Sequence, residues 1–209
     1  HATREKAAPT FNDAIQTTLA RLGMPEARFV VQLTPAPALT PTGDDEIDFL
    51  FTANGNFAPQ KVERIASGGE ISRVMLALKA LLAHRMELPT IIFDEIDTGV
   101  SGRIADAMGE IIASLSARMQ VVDITHLPQV ASKGTAHFVV YKRDGRTSIT
   151  RLSEAERVTE IAKMLSGSEI TDAAVAQARI LLGRRETEAQ APREVAPAAP
   201  KGKESGLLF

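Results

Sequence analysis

The chain has 209 residues, of which 44% are hydrophobic and 24% charged, with a net charge of −2 and a pI of about 6.1. This composition is ordinary for one sizeable globular domain, and it argues against the broad basic surface of a dedicated DNA-binding module. Cysteine is absent, which excludes disulfides and cysteine-ligated zinc, and no apolar run approaches the roughly 20 residues that cross a bilayer.

A helix and two strands are predicted first in chain order. Apolar residues at helical spacing predict a helix over residues 4–22, which Gly23 ends. β-Branched and apolar character predicts strands over 27–33 and 46–52. A loop is predicted between these strands from four turn-forming residues, Pro35, Pro37, Pro41 and Gly43.

Helices and strands alternate in the middle of the chain. Amphipathic helices are predicted over 70–85 and 102–117, each followed by a short strand, 90–93 and 120–124. The run over 90–93 is of the type that lies buried on both faces of a parallel sheet. The alternation predicts parallel strands joined by right-handed crossovers.

A hairpin and two helices are predicted next. The strands, 136–142 and 147–152, flank the strong turn signal Asp144-Gly145. Ser153 and Glu156 resemble a capping box for a helix to about residue 165, and a last helix is predicted over 170–182.

The composition changes from about residue 184, where Ala, Pro, Glu and Lys dominate. We interpret 184–209 as a flexible tail, because it offers little apolar surface to bury. Because the chain begins with His1, we expect it to be a fragment or to carry a tag remnant.

An acidic pair, Asp94-Glu95, follows the strand over 90–93. Ligands of open α/β sheets bind outside the carboxyl ends of the strands. There, one carboxylate can hold Mg²⁺, usually through water, while the other orients and deprotonates an attacking water in nucleotide hydrolysis. The simpler reading is a buried strand that ends in two solvated acids.

Two glycines open the clearest helix of the chain, in the segment Ser67-Gly68-Gly69-Glu70. Ser67 is a natural N-cap, and Glu70 completes a capping box. Glycines allow a phosphate to approach the backbone, and a helix N-terminus offers free N–H groups and a positive dipole end. A plain capped helix after a glycine turn is the simpler reading.

Further polar residues are expected at the same sheet edge. His126 directly follows a strand, and an imidazole there could contact a γ-phosphate, although such a histidine is more often structural. The segment Asp97-Thr98-Gly99 follows the acidic pair, where it could be a simple turn. No Gly-x-x-x-x-Gly-Lys-Ser/Thr phosphate loop occurs in the sequence.

Taken together and in this order, these segments resemble the C-terminal half of an ABC-type ATPase head. The matching elements are the signature at Ser67-Gly68-Gly69-Glu70, the Walker B strand ending in Asp94-Glu95, the D-loop at Asp97-Thr98-Gly99, and the switch histidine His126. The flanks resemble the RecN family more closely, the SMC-like proteins of bacterial DNA double-strand-break repair. These longer matches cover residues 66–73, 93–102 and 125–131.

The resemblance implies a fold class and three regions. The fold is α/β, the C-terminal half of an ABC-type head: a mostly parallel sheet flanked by helices, with an added β-hairpin and C-terminal helices. Residues 1–23 would be the end of a returning coiled-coil arm, 24–183 the C-terminal lobe of the head, and 184–209 the tail.

The resemblance also implies roles for single residues. In such heads two subunits sandwich two ATP molecules, and the signature of one subunit faces the phosphate loop of the other. By analogy Ser67, Gly68 and Gly69, with Glu70 at their end, would form the signature contact to the γ-phosphate bound by the partner. Four further residues would have roles at the site: Asp94 holding Mg²⁺, Glu95 polarising the water, His126 contacting the γ-phosphate, and Asp97 crossing the dimer interface.

The implied cofactors are ATP and Mg²⁺, and the implied activity is ATP hydrolysis in the full-length protein. The implied partners are the N-terminal half of the head, a second head in an ATP-dependent homodimer, and DNA, with no membrane partner and a cytoplasmic, nucleoid-associated location. Because the phosphate loop is absent, we expect this chain alone to be inactive.

Two other functions stay open at this point. The chain could be the ATP-binding subunit of a transporter, although the N-terminal helix speaks against it, or a non-catalytic interaction module. Four cations on the predicted hairpin could meet DNA phosphates, but a solvated hairpin is the simpler reading. They are Lys142, Arg143, Arg146 and Arg151.

Overall fold

A computed structural model of the chain describes residues 1–65, 67–86, 88–143, 145–167 and 169–183; the predicted turn residue Asp144 and the predicted tail lie outside them. The described helices are α1 (Ala2–Arg21), α2 (Gly68–Met86), α3 (Gly102–Leu115), α4 (Pro128–Ala131), α5 (Glu154–Ser166) and α6 (Asp172–Leu181), with a 3-10 turn at Val62–Arg64. The described strands are β1 (Arg28–Thr40), β2 (Gly43–Thr52), β3 (Gln60–Lys61), β4 (Thr90–Asp94), β5 (Gln120–Ile124), β6 (Phe138–Arg143) and β7 (Arg146–Arg151).

Helix α1 packs against the edge of strand β1. The side-chain oxygen of Asn12 accepts a hydrogen bond from the Val31 N–H at 3.0 Å, and that of Gln16 accepts one from the Phe29 N–H at 3.4 Å. Ile15, on the same helix, is fully buried in a core cluster that α1 shares with β1, β2 and α2. The predicted N-terminal helix is therefore confirmed, and it is joined to the sheet by apolar packing and by hydrogen bonds from strand N–H groups to its side-chain amides.

Strands β1, β2 and β3 form an antiparallel sheet in that order, which leaves β1 at the edge. Strand β1 runs to Thr40 through Pro35 and Pro37, and strand β2 begins at Gly43. The predicted loop is therefore wrong at these three residues, and the turn is confined to Pro41 and Thr42. Proline is compatible with an edge strand because one side of that strand has no ladder partner to receive an N–H, and the register shifts between Pro35 and Thr40. Near the hairpin tip, Arg4 of α1 forms an ion pair with Asp45 at 3.1 Å.

The middle of the chain has the predicted alternation of helix and strand. Strands β4 and β5 pair in parallel, with Phe93 opposite Asp123, and α3 connects them. One face of this pair packs on α2 and α3, where Phe93, Leu76 and Met108 are fully buried in the largest core cluster. This core fixes the carboxyl ends of β4 and β5 side by side.

The C-terminal part contains the predicted hairpin and two packed helices. Strands β6 and β7 pair antiparallel, and α5 and α6 share a small core around Ile161 and Ala178. The predicted capping box is present: the Ser153 Oγ accepts from the Glu156 N–H at 3.4 Å, and the Glu156 carboxylate accepts from the Ser153 N–H at 2.7 Å.

The predicted α/β class is confirmed, with parallel strands joined by a helix at its centre. Among the described residues the parallel pairing is confined to β4 and β5, and the other two sheets are antiparallel. None of the described helices has the length and apolarity that crossing a membrane requires.

Candidate active site

The predicted signature segment forms the first turn of helix α2. The Ser67 Oγ accepts a hydrogen bond from the Glu70 N–H at 3.4 Å, and the Ser67 carbonyl accepts one from the Ile71 N–H at 3.0 Å. Ser67 is therefore an N-cap, as predicted. Ser67 and Gly68 are exposed, so this helix N-terminus presents its free N–H groups and positive dipole end to the surface.

The second glycine of this turn touches the loop after β4. A Cβ added to Gly69 would lie 2.9 Å from the Gly99 carbonyl oxygen, whereas one added to Gly68 would meet nothing within 4 Å. Gly99 has φ +79°, and a Cβ added there would lie 3.3 Å from the Gly69 nitrogen. The signature turn and the D-loop thus meet backbone to backbone, at a separation that only glycine allows at Gly69.

Glu95 has an unusual backbone conformation at the end of β4. Its φ is +48°, and among the described residues it is the only non-glycine residue with a positive φ. Three hydrogen bonds hold it: its N–H donates to the Ile124 carbonyl at 3.0 Å, and its carbonyl accepts from the Thr98 N–H at 3.2 Å and from the Thr98 hydroxyl at 2.8 Å. Such conformations are unfavourable for L-residues and cluster at active sites. The direction of the exposed Glu95 side chain is therefore set by the left-handed backbone of this turn and not by the alternation of side chains along a strand.

The ends of β4 and β5 bring the predicted acids and the histidine to one edge. Asp94 lies opposite Ile124 in the parallel register, and His126 follows two residues later. Asp94, Glu95 and His126 are all exposed, so their polar groups are available to a ligand at the carboxyl end of the sheet.

Asp97 lies in a different environment from its neighbours. Its side chain is only 1% exposed, one carboxylate oxygen accepts a hydrogen bond from the Thr125 hydroxyl, and the other is buried without a partner among the described residues. The Thr125 Oγ also accepts from the Leu127 N–H at 2.9 Å. The Asp97 carboxylate thus faces its own chain, where it joins the D-loop to the segment that carries His126.

A second carboxyl group lies near Asp97. Burial, with a smaller contribution from the charge of Asp97, raises the pKa of Asp123 on β5 to about 6. Asp123 was not predicted as a site residue, and neither was Thr125 given a role. The available signal for Asp123 was a carboxylate among the apolar residues that follow Gln120 in strand Gln120–Ile124.

The donor set at this edge fits Mg²⁺ held jointly with nucleotide phosphates. Asp94 offers an exposed carboxylate, and the described residues contain no group of three or more metal-ligating side chains. Mg²⁺ keeps several waters and takes one or two carboxylates together with substrate phosphates, so a single protein carboxylate is compatible with it.

Curated relatives of this chain are DNA repair proteins. The chain is 40% identical over 186 residues to the DNA repair protein RecN of Haemophilus influenzae, which covers 87% of this chain and 33% of that protein. It is 40% identical over 180 residues to RecN of Rickettsia felis, covering 84% and 33%, and 45% identical over 148 residues to RecN of Bacillus subtilis, covering 69% and 26%. No family model matches the chain.

Solved structures with a similar fold are SMC heads. The Smc head domain with a coiled coil and joint from Pyrococcus yayanosii matches with a TM-score of 0.60 and 19% identity, covering 75% of this chain and 29% of that one. An SmcHead bound to the C-winged helix domain of ScpA matches with a TM-score of 0.57 and 21% identity, covering 74% and 46%. A chain from a study of ATP-driven dimerization and DNA-stimulated activation of SMC ATPases matches with a TM-score of 0.56 and 19% identity, covering 76% and 92%.

At 19–21% identity, these structures establish the fold alone, which is that of an SMC ATPase head. The chain spans about a third of the length of the first curated relatives, at 40% identity over most of its own residues. These sequence matches place the chain in the RecN family.

Proposed function

We propose that this chain is the C-terminal half of an SMC-like ATPase head that acts in DNA repair. In this proposal ATP binding drives two heads together and hydrolysis releases them. The observation that carries it is the strained turn at Glu95, which presents an exposed carboxylate beside Asp94 and His126, together with the direct contact of the signature turn and the D-loop.

The signature turn supplies the contact to the nucleotide of the opposite head. Ser67, Gly68 and Gly69 would direct N–H groups and a hydroxyl at the γ-phosphate, and the first-turn Glu70 would stay hydrogen-bonded to Ser67. The exposure of Ser67 and Gly68 at the N-terminus of a 19-residue helix supports this role, because a helix dipole and free N–H groups favour an anion there.

The edge formed by β4 and β5 supplies the hydrolytic groups. Glu95 would accept a proton from the attacking water and orient it in line with the γ-phosphate, and His126 would contact that phosphate. Asp94 would hold Mg²⁺, which when bound neutralises charge on the phosphate oxygens. The burial of Asp97 supports a role within its own chain, in which it fixes the D-loop so that Thr98 and Gly99 reach the surface.

The N-terminal half of the head would cover the open face of the parallel pair. Three apolar side chains on that face are exposed, Ile92 by 59%, Val122 by 40% and Ile124 by 51%. Parallel sheets are normally covered on both faces by other elements. The missing phosphate loop therefore fits a second polypeptide segment that packs there, and a head-to-head homodimer with ATP would complete the site.

The proposed repair function brings DNA as a further partner. RecN relatives are DNA repair proteins, and a structure with the same fold comes from work on DNA-stimulated activation of SMC ATPases. Lys142, Arg146 and Arg151 are exposed on the hairpin β6–β7, and this surface stays a prediction for phosphate contact. A cytoplasmic, nucleoid-associated location belongs to the same proposal.

The test is ATP turnover after this chain is mixed with a polypeptide that carries the phosphate-loop half, with and without DNA. We expect turnover only on mixing, stimulation by DNA, and loss of turnover in Glu95→Gln. Glu46→Gln is the matched control, because Glu46 is an exposed carboxylate on hairpin β1–β2, outside the site. A well-formed complex without turnover would favour a non-catalytic interaction module, and Glu95 would lose its role.

A further inference from the structure

The side chain of Arg73 joins the signature turn to the end of helix α1. Its Nε donates a hydrogen bond to the Gly69 carbonyl at 2.8 Å, and its Nη1 donates one to the Leu22 carbonyl at 3.1 Å. Leu22 and Arg73 lie 51 residues apart in sequence. The guanidinium is partly buried between the two carbonyls, so its charge is less screened than that of a surface arginine.

The carbonyl of Leu22 is a fixed point in the fold. Leu22 is the C-cap of α1, and its side chain is fully buried in the core cluster shared with α2 and α3. The next residue is also confined, since a Cβ added to Gly23 would lie 3.0 Å from Ile104 on α3. The last carbonyls of a helix lack helical partners and form the negative end of its dipole, so a cation is well placed there.

The carbonyl of Gly69 belongs to the part of the signature that touches the D-loop. The contact between Gly69 and Gly99 leaves no room for a side chain, so a shift of one segment displaces the other. The Arg73 side chain therefore connects the end of α1 to the signature turn, and the contact between Gly69 and Gly99 connects the signature turn to the D-loop.

We propose that Arg73 is a positioning residue that sets the signature turn against the end of α1. In this role it would couple the orientation of helix α1, the predicted end of the coiled-coil arm, to the geometry of the surface that engages the opposite head. The inference deepens the proposed function and rests on it. Arginine suits this role because its planar fork donates to two carbonyls at once, whereas lysine presents a single point charge.

The expected effect falls on head engagement rather than on nucleotide capture. A single head would hold ATP mainly through the phosphate-loop half, whereas Arg73 contacts the signature turn and the end of α1. Loss of a charge-assisted hydrogen bond at the signature is expected to lower ATP-dependent dimerisation and kcat by at least about tenfold. Nucleotide affinity of a single head is expected to stay within about twofold.

The experiment uses the complete head, assembled from this chain and the phosphate-loop half. Arg73→Met removes both donors at similar length, and Arg73→Lys keeps the charge. Arg85→Met is the matched control, since Arg85 is exposed in the last turns of the same helix. ATP-dependent dimerisation is measured by analytical ultracentrifugation, turnover by phosphate release, single-head affinity with a fluorescent ATP analogue, and stability by urea unfolding.

Support requires that Arg73→Met loses dimerisation and kcat, that Arg73→Lys restores part of both, and that single-head affinity and the Arg85→Met variant are unchanged. Turnover and dimerisation of Arg73→Met equal to those of the control would overturn the inference while leaving the proposed function intact. Equal loss of affinity, kcat and stability would also overturn it, as a merely structural role. An unsubstituted head without Glu95-dependent turnover would refute the proposed function, and the inference with it.

Discussion

Replacing Glu95 by glycine is expected to stabilise the chain relative to alanine, although both changes delete the same carboxylate. Glu95 has φ +48°, a conformation in which the Cβ of an L-residue crowds its own backbone. Alanine keeps that Cβ and glycine lacks it. Both variants lack the charge and the length of the glutamate side chain, so the difference between their stabilities reports the backbone strain at this turn.

The size of the difference follows from two opposing terms. Holding an L-residue in the left-handed region costs roughly 1–2 kcal/mol. Glycine recovers this energy but gains about 0.4–1 kcal/mol of conformational freedom in the unfolded chain. The net expectation is that Glu95→Gly exceeds Glu95→Ala by about 1 kcal/mol in free energy of unfolding, or roughly 2–4 °C in Tm for a chain of this size.

Urea unfolding of both variants measures this difference directly. Glu110, exposed in the middle of α3, is the control site, because glycine there should be the less stable variant by about 1 kcal/mol. The sign of the glycine–alanine difference should thus reverse between positions 95 and 110. If Glu95→Gly is no more stable than Glu95→Ala, the turn stores no strain and the structural argument for Glu95 as a poised carboxylate is refuted.

Two further predictions concern neighbouring residues. Gly69→Ala is expected to destabilise the chain by about 1–3 kcal/mol in urea unfolding, because its Cβ would lie 2.9 Å from the Gly99 oxygen. Gly68→Ala is the control: its Cβ would meet nothing within 4 Å, so it should cost less than half as much. Equal costs would contradict the glycine contact. Asp123→Asn is expected to be more stable than the unsubstituted chain at pH 8, by at most roughly 3 kcal/mol. The reason is that burial and the charge of Asp97 raise the pKa of the Asp123 carboxyl group from 3.8 to about 6. A carboxyl group with a raised folded-state pKa loses stability as the pH rises from 3.8 to 6, so this advantage should vanish toward pH 4, and an advantage independent of pH would refute the assignment.

The central helices and strands were predictable because their periodicity and their apolar character agree. The strand over 120–124 has the predicted bounds, and helix α2 differs from its prediction by two residues at the start and one at the end. Parallel pairing was predictable from the alternation alone, since two successive strands joined by a helix return in the same direction. The location of Asp94, Glu95 and His126 at one sheet edge follows from that pairing.

Other features depend on partners that are distant in sequence. The continuation of β1 through Pro35 and Pro37 depends on its position at the sheet edge beside β2, and no local sequence pattern predicts that position. The positive φ of Glu95 depends on a hydrogen bond to Ile124, 29 residues away, and the burial of Asp97 depends on Thr125. Sequence patterns thus located the candidate site, while tertiary contacts determined which carboxylates are exposed.

The two halves of strand β1 protect its outer edge by different means. Near its start, the amide oxygens of Asn12 and Gln16 receive backbone N–H groups, so helix α1 occupies positions that another strand would need. Farther along, Pro35 and Pro37 have no N–H to offer. An unprotected edge of this length would invite strand addition and aggregation. The outer edge of this 13-residue strand is therefore protected against pairing with a second copy of the chain, near its start by helix α1 and farther along by the two prolines.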